Sequence, residues 1–252
     1  MQFNIDKRYI IIALIGLTFL FNVTQTQILL ILGQLPLWEF NVMLSKFFQT
    51  IILVGVVQGF VVSSLLFFVK KNKLQNRLLA ALILVITLAG FNLYGNFANW
   101  FGSPLLRFIT DIVPLVMPMA IGPLMYFYVQ AVLSPGFQMG KKQRRHFIPL
   151  VIDLVPAFVP ILYLVLLLTK LIARNPAPWG NFIDTYNVYA DIPRWLSVTI
   201  YVWLSSTYIS GYISQRRGNL NGQAIQVKWL RQFVRVFMIF QAVWLIYLIP
   251  YI

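Results

Sequence analysis

Residues 147–169 read FIPLVIDLVPAFVPILYLVLLLT, and Asp153 is the only acidic or basic residue among them. A helix needs about 20 mostly apolar residues to cross a hydrocarbon core of roughly 30 Å. Six further stretches have this character, at residues 9–32, 47–69, 78–100, 112–133, 194–214 and 233–252. None of them alternates strictly, as barrel strands do. The sequence therefore predicts an all-α fold, a polytopic bundle of about seven transmembrane helices.

The composition agrees with this class and excludes several others. Of the 252 residues, 60% are hydrophobic and 10% are charged. Soluble domains are about 45–50% apolar and about 25% charged, so a soluble or disordered chain is excluded. There is no cysteine, one histidine (His146) and only six carboxylates. Motifs for catalysis or metal binding are also missing, so we expect no enzymatic activity, no cofactor and no metal.

Lysine and arginine residues form short clusters between the apolar stretches, and 15 of the 20 lie on one side of the seven-span arrangement. Because cytoplasmic loops carry the excess of basic residues, we expect the N-terminus in the cytoplasm and Ile252 outside. A net charge of +14 distributed in this way indicates contact with the lipid bilayer, and not direct nucleic-acid binding by this segment. The 15 residues are Lys7, Arg8, Lys70, Lys71, Lys73, Arg77, Lys141, Lys142, Arg144, Arg145, Arg216, Arg217, Lys228, Arg231 and Arg235.

The chain divides into an extra N-terminal span with an outer loop, residues 1–46, and a six-span unit, residues 47–252, with no soluble domain. Lys7 and Arg8 followed by an apolar run also resemble the start of a signal peptide. The next residues lack a small-residue cleavage site, which favours an uncleaved helix and leaves cleavage of residues 1–23 as the alternative. We expect residues 170–193 to form the longest outer loop, as an ordered turn or a short interfacial helix.

Small residues and prolines indicate how the spans pack. Gly55 and Gly59 lie one helical turn apart, and small residues at this spacing let two helix backbones approach closely. The spacing fits packing within the chain, and it also fits a dimer seam. Prolines in the fourth and fifth spans remove backbone donors and kink a helix, so these spans are expected to be bent or movable. They are Pro114, Pro118, Pro123, Pro149, Pro156 and Pro160.

Asp153 is an acid inside a predicted span, about 9 Å from the cytoplasmic interface at roughly 1.5 Å per residue. Ionisable groups at such depth pair with another group or line a cavity. The expected partners are Arg144, Arg145 and His146, which lies two turns away on the same helical face. A proton or ion relay is the alternative, and it lacks a second acid within the membrane.

Three asparagines share one face of the third span. Asn92, Asn96 and Asn99 follow the spacing of a helical stripe, and three amides cannot face lipid cheaply. We expect the stripe to line either a helix seam or a small-ligand pocket in the outer half of the membrane. Trp195 and Tyr201 begin the sixth span at a similar depth and complete the candidate ligand site.

Six short segments occur in order along the chain: QGF at 58–60, KKNK at 70–73, NRLLA at 76–80, IGPLMYFYV at 121–129, RHFIP at 145–149 and KWLR at 228–231. Together they resemble the membrane region of AraC-type transcription regulators of Bacteroidota. The resemblance covers about residues 47–252. It implies signal sensing in a bacterial inner membrane and transcriptional output through a cytoplasmic helix-turn-helix domain. The chain departs from the pattern, because residues 1–46 are additional and no helix-turn-helix segment precedes Ile252. It is therefore expected to be a fragment of a longer regulator or a stand-alone relative that acts through a partner.

These observations together predict a non-enzymatic sensor or regulatory module of the inner membrane. Its expected partners are the lipid bilayer and either another membrane protein or a second copy of the chain. The alternative is an accessory subunit of a larger membrane complex. A transporter is the third possibility, and it is weakened by the absence of a visible internal repeat.

Overall fold

The computed structural model describes residues 38–134, 136–216 and 224–249 of the chain. Within these ranges the regular structure is helical and contains no strand, which confirms the all-α class. The predicted first span at 9–32, with its alternative reading as a signal peptide, lies outside the described residues. The helices are α1 (Trp38–Phe68), α2 (Lys73–Phe97), α3 (Pro104–Ile112), α4 (Pro118–Leu133), α5 (Lys141–Arg145), α6 (Val151–Leu168), α7 (Ala177–Gln215) and α8 (Ala224–Leu248), with a 3₁₀ turn at Ile148–Leu150.

Four helical segments of the described chain are long and apolar enough to cross a membrane. They correspond to the predicted stretches at 47–69, 78–100, 147–169 and 233–252, so the chain has the helices of a membrane protein. The number of seven spans is not confirmed. The four segments are Leu44–Phe68, Lys73–Phe97, Lys141–Leu168 and Ala224–Leu248.

The two remaining described stretches differ from the predicted spans. In the predicted 112–133 span, residues 113–117 are not helical, and α4 begins only at Pro118. Its 16 residues measure about 24 Å at 1.5 Å per residue. The predicted 194–214 span is part of α7, whose 39 residues extend about 58 Å. Most of the outer loop predicted at 170–193 is therefore helix, and the start of α1 at Trp38 likewise makes the last part of the 1–46 segment helical.

The bundle is built around α4. Neighbouring helices pack in the order α1 on α2, α2 on α4, α4 on α7 and α7 on α8, while α6 packs on α3 and α7. Most residues of α4 are buried, including Met125, Phe127 and Val129. Large apolar side chains on the outer faces of α1, α6 and α8 are exposed, among them Leu65, Leu168 and Ile246. A short helix with apolar residues all round thus forms the core, and the longer helices present apolar surface outward.

Glycines set two close helix contacts within the chain. A Cβ atom on Gly59 of α1 would lie 2.0 Å from Oγ1 of Thr87 on α2. A Cβ atom on Gly122 of α4 would lie 2.6 Å from Cδ2 of Tyr201 on α7. At Gly55 no described atom lies within 4 Å of the same position. The predicted packing role is therefore intramolecular at Gly59, whereas Gly55 makes no such contact with the described residues.

The ends of α2, α4 and α7 meet at one end of the bundle. Gln75 Nε2 near the start of α2 donates a hydrogen bond of 2.7 Å to the carbonyl oxygen of Ala131 near the end of α4. Ser134, just after α4, lies 2.8 Å from the hydroxyl of Tyr208 on α7. We call this the basic end, because basic residues lie in or next to the α1–α2 and α7–α8 connections there. They are Lys70, Lys71, Lys73, Arg77, Arg216 and Lys228.

Candidate functional site

A buried ion pair joins three helices near the middle of the bundle. Nε of Arg194 on α7 donates a hydrogen bond of 2.8 Å to Oδ1 of Asp153 on α6, and the two side chains are 6% and 0% exposed. The other carboxylate oxygen of Asp153 accepts a hydrogen bond of 2.7 Å from the backbone N–H of Met119 on α4. Asp153 therefore connects α4, α6 and α7 through charged hydrogen bonds.

The position of Met119 explains the second of these bonds. Met119 follows Pro118 at the start of α4, where backbone N–H groups have no carbonyl partner within the helix. The first turn of a helix also carries a partial positive charge that favours a carboxylate. Asp153 thus acts as a cap supplied by another helix. It satisfies an orphan donor at a buried position.

Arg194 is held by two further acceptors on its own helix. Its Nη1 donates to Oδ1 of Asp191 at 3.0 Å, and its Nη2 donates to Oδ1 of Asn187 at 3.3 Å. Asp191 is 30% exposed, so it forms the open side of the network. All three guanidinium nitrogens have a partner, which fixes the orientation of this buried cation.

A proline beside the ion pair creates a second connection between α6 and α7. Pro156 lacks an N–H group, which deprives the carbonyl of Ile152 of its helical partner. The hydroxyl of Tyr186 on α7 donates a hydrogen bond of 2.9 Å to that carbonyl oxygen. Pro193 interrupts α7 in the same way directly before Arg194. Both helices therefore have a weakened backbone at the level of the pair.

A cavity of about 260 Å³ opens next to the ion pair, between α2, α3, α6 and α7. It is lined by both charged and polar groups and by the non-helical residues 113–116. Its polar lining residues are Asn92, Thr110, Asp111, Asp153, Asn187 and Arg194. Asp191 and Asp184 lie nearby, so four of the six carboxylates of the chain are in or beside this cavity.

Asp111 stands at the rim of the cavity on α3, a helix outside the four apolar segments. Partial burial in the cavity wall raises the pKa of its carboxyl group, the guanidinium of Arg107 lowers it, and the negative charge of Asp184 raises it. The net shift is upward.

Helix α3 itself starts at Pro104 because the hydroxyl of Ser103 accepts a hydrogen bond of 3.3 Å from the N–H of Leu106.

The predicted asparagine stripe is brought to the cavity only in part. Asn92 lines it, whereas Nδ2 of Asn96 donates to the carbonyl of Asn92 at 2.9 Å within its own helix. Asn99 has φ 52° and lies in the turn after α2, which ends at Phe97. The prediction of one shared face requires a helix that continues to residue 100. Because the helix stops earlier, Asn99 leaves its face.

Trp195 and Tyr201 do not join the asparagines. Nε1 of Trp195 donates a hydrogen bond of 2.9 Å to the carbonyl of Gln241, so this side chain faces α8. The hydroxyl of Tyr201 lies 2.8 Å from Nδ1 of His146, nearer the basic end. Neither residue lines the cavity at Asp153. The five predicted ligand-site residues therefore do not form one site.

The predicted partners of Asp153 were wrong. His146 would share a helical face with Asp153 only if residues 146–153 formed one continuous helix, and the 3₁₀ turn at Ile148–Leu150 breaks it. His146 contacts Tyr201 instead, and Arg144 and Arg145 are exposed. The actual partner is Arg194 on α7, which is not among the 15 basic residues of the predicted cytoplasmic side. The sequence signal at this position is the spacing of Asp191 and Arg194, an acid and a base that share one helix face.

The described residues contain no group of three or more histidine and acidic side chains placed to hold a metal ion. The polar side chains that line the cavity can form hydrogen bonds and charge pairs. Comparison of the chain with protein-family models, with curated proteins and with solved structures finds no match.

Proposed function

We propose that this protein is a non-enzymatic membrane sensor module in which the cavity beside Asp153 receives a small polar ligand. The observation that carries the proposal is the ion pair in the cavity wall. Asp153 and Arg194 contact the ligand space and at the same time connect α4, α6 and α7. A ligand in the cavity thus meets the residues that set the relative position of these helices.

A ligand can act on this arrangement by competing for bonds of the pair. Asp153 is a strong acceptor, and a donor group on the ligand would weaken its bond to Met119 or Arg194. The helices can respond because Pro156 and Pro193 already interrupt the backbone hydrogen bonds nearby. A response of this kind requires that the ligand binds one arrangement of the helices better than another.

The groups in the wall favour a ligand with hydrogen-bond donors. The charge of the Arg194 guanidinium is already compensated by the carboxylates of Asp153 and Asp191, so an acidic ligand would meet net negative charge there. Asn92 and Asp111 offer oxygen acceptors at the opposite wall. An amine or a polyhydroxylated molecule fits this chemistry and the volume of about 260 Å³.

The proposal places the protein in the inner membrane of a bacterium with its basic end in the cytoplasm. The six basic residues named at the basic end support this orientation. A cytoplasm-active reporter fused after Arg145 should then be active, whereas the same reporter fused after Ile252 should be inactive. Activity of both fusions would refute the orientation.

The resemblance to AraC-type regulators suggests that the output is transcriptional and passes through a partner or a further domain. The test uses Asn92→Leu, which changes the cavity wall, and Asn96→Leu as the matched control one turn away, where the side chain is exposed. Transcript profiles of a deletion strain complemented with each variant are compared at equal protein level in the membrane. We expect Asn92→Leu to resemble the deletion and Asn96→Leu to resemble the wild type. Wild-type profiles for both would refute the sensor and favour an accessory subunit of a membrane complex.

A further inference from the structure

A second cavity opens at the basic end, between the end of α4 and the last two turns of α7. Its volume is about 450 Å³, and it shares no lining residue with the cavity at Asp153. The wall combines hydroxyl, amide and guanidinium groups with open space beside two glycines. The residues that matter here are Ser134, Gly136, Tyr208, Gly211, Gln215 and Arg216.

The polar groups of this cavity suit a phosphate. The guanidinium of Arg216 lies over the ring of Tyr212, 4.8 Å from its centroid, which positions it at the rim. An arginine fork matches phosphate oxygens bidentately. The hydroxyls of Ser134 and Tyr208 lie 2.8 Å apart, so one donates to the other and the pair retains one hydrogen for a ligand. None of the described residues that line the cavity is acidic.

The helix ends at this cavity select among phosphate ligands. Helices α4 and α7 both finish here, and the last carbonyl groups of a helix carry partial negative charge and lack helical partners. A bare anion would be opposed by these carbonyls. A phosphate that also carries hydroxyl donors can place its charge on Arg216 and its donors on the carbonyls.

The position of the cavity indicates where such a ligand comes from. It lies at the end of a bundle whose outer faces are apolar, at the same end as the basic connections. Basic residues next to apolar helices attract the anionic headgroups of the cytoplasmic leaflet. We propose that this cavity binds the headgroup of an anionic phospholipid with free hydroxyls, of the phosphatidylglycerol class, with its phosphate on Arg216.

Native mass spectrometry of the delipidated protein with added phosphatidylglycerol or phosphatidylcholine tests the proposal. We expect phosphatidylglycerol to bind preferentially, and Arg216→Gln to weaken it about tenfold or more through loss of a charge-assisted bond. Gly211→Leu should also abolish binding, because an added Cβ there meets no atom within 4 Å and the side chain can fill the cavity. Lys228→Gln is the matched control, since Lys228 is exposed near the same end and does not line the cavity.

Three results would overturn the proposal. Equal binding of the two lipids would exclude a headgroup-specific site. Equal weakening by Lys228→Gln and Arg216→Gln would indicate general charge attraction. Displacement of the lipid by millimolar inorganic phosphate or glycerol phosphate would indicate a soluble phosphate ligand. Thermal unfolding of each variant checks its folding. If Arg216→Gln is unstable, lipid binding by Gly211→Leu tests the proposal instead. This variant should fold, because leucine favours a helix more than glycine does.

Discussion

Replacing Asp153 with asparagine should destabilise the protein far more than the same replacement at Asp184. The first change removes the carboxylate that faces Arg194 at 2.8 Å with 0% exposure of its side chain. The second removes a carboxylate of an exposed residue in the neighbouring part of α7. Both variants lose one negative charge, so the comparison isolates burial and pairing.

The expected loss of unfolding free energy follows from the groups that remain around Arg194 in this variant. In Asp153→Asn the guanidinium stays 6% exposed, and among the described residues it keeps only Asp191, itself 30% exposed, as a charged partner. Removing one member of a buried ion pair commonly costs about 3–5 kcal/mol. The asparagine oxygen can still accept a hydrogen bond from Met119, so we expect a loss near the lower end, about 3 kcal/mol. Surface substitutions such as Asp184→Asn usually change stability within about 0.5 kcal/mol.

The assay is equilibrium unfolding in detergent, followed by circular dichroism, for both variants and for Arg194→Gln. The double variant Asp153→Asn with Arg194→Gln completes a double-mutant cycle. It should be more stable than the sum of the single losses predicts, because no unpaired buried charge remains. Equal stability of Asp153→Asn and Asp184→Asn would refute the argument. It would mean that water reaches the pair or that Asp153 is protonated in the folded protein.

Three further predictions concern packing, a freed carbonyl and pH. Gly59→Ala should cost about 1–3 kcal/mol of unfolding free energy because its Cβ would overlap a side chain of α2. Gly55→Ala should be neutral or should stabilise the protein by up to about 1 kcal/mol. Chemical unfolding of both variants measures the difference. Tyr186→Phe should cost about 1 kcal/mol in the same assay, since it leaves a partly buried carbonyl of α6 without its partner, and wild-type stability would contradict that role. The raised pKa of Asp111 means that the folded protein binds this proton more tightly than the unfolded chain, so its contribution to stability should fall as pH rises from the ordinary aspartate value through the raised one. Asp111→Asn should remove this pH dependence of the unfolding free energy, measured from pH 4 to 7, and Asp184→Asn should reduce it.

Much of the fold follows from local sequence. The stretches around 47–69, 78–100, 147–169 and 233–252 were recognised because length and apolarity are properties of a continuous segment. The all-helical class follows for the same reason, since a chain in lipid must satisfy its backbone groups within each segment. The clustering of basic residues at one end also follows, because alternate connections of antiparallel helices lie on the same side.

The breaks in these segments were harder to place. Pro114 and Pro118 predict a bent helix, and the structure instead shows a non-helical segment at 113–117 followed by a shorter α4. In contrast, Pro193 was expected near a loop, yet α7 continues through it. A proline costs one hydrogen bond and introduces a clash wherever it occurs. Whether the helix stops or continues depends on the packing around it, which local sequence does not contain.

The candidate site depended on the tertiary structure most of all. The sequence by itself determined that Asp153 needed a partner, since a carboxylate inside an apolar helix is too costly alone. It did not determine which base would serve, because Arg194 lies 41 residues away on another helix and meets Asp153 only through the packing of α6 against α7. Asn92 reached the cavity while Asn99 did not, because α2 ends between them. Local sequence predicts which segments are apolar and which residues are polar, whereas the packing of whole helices decides which distant charges pair.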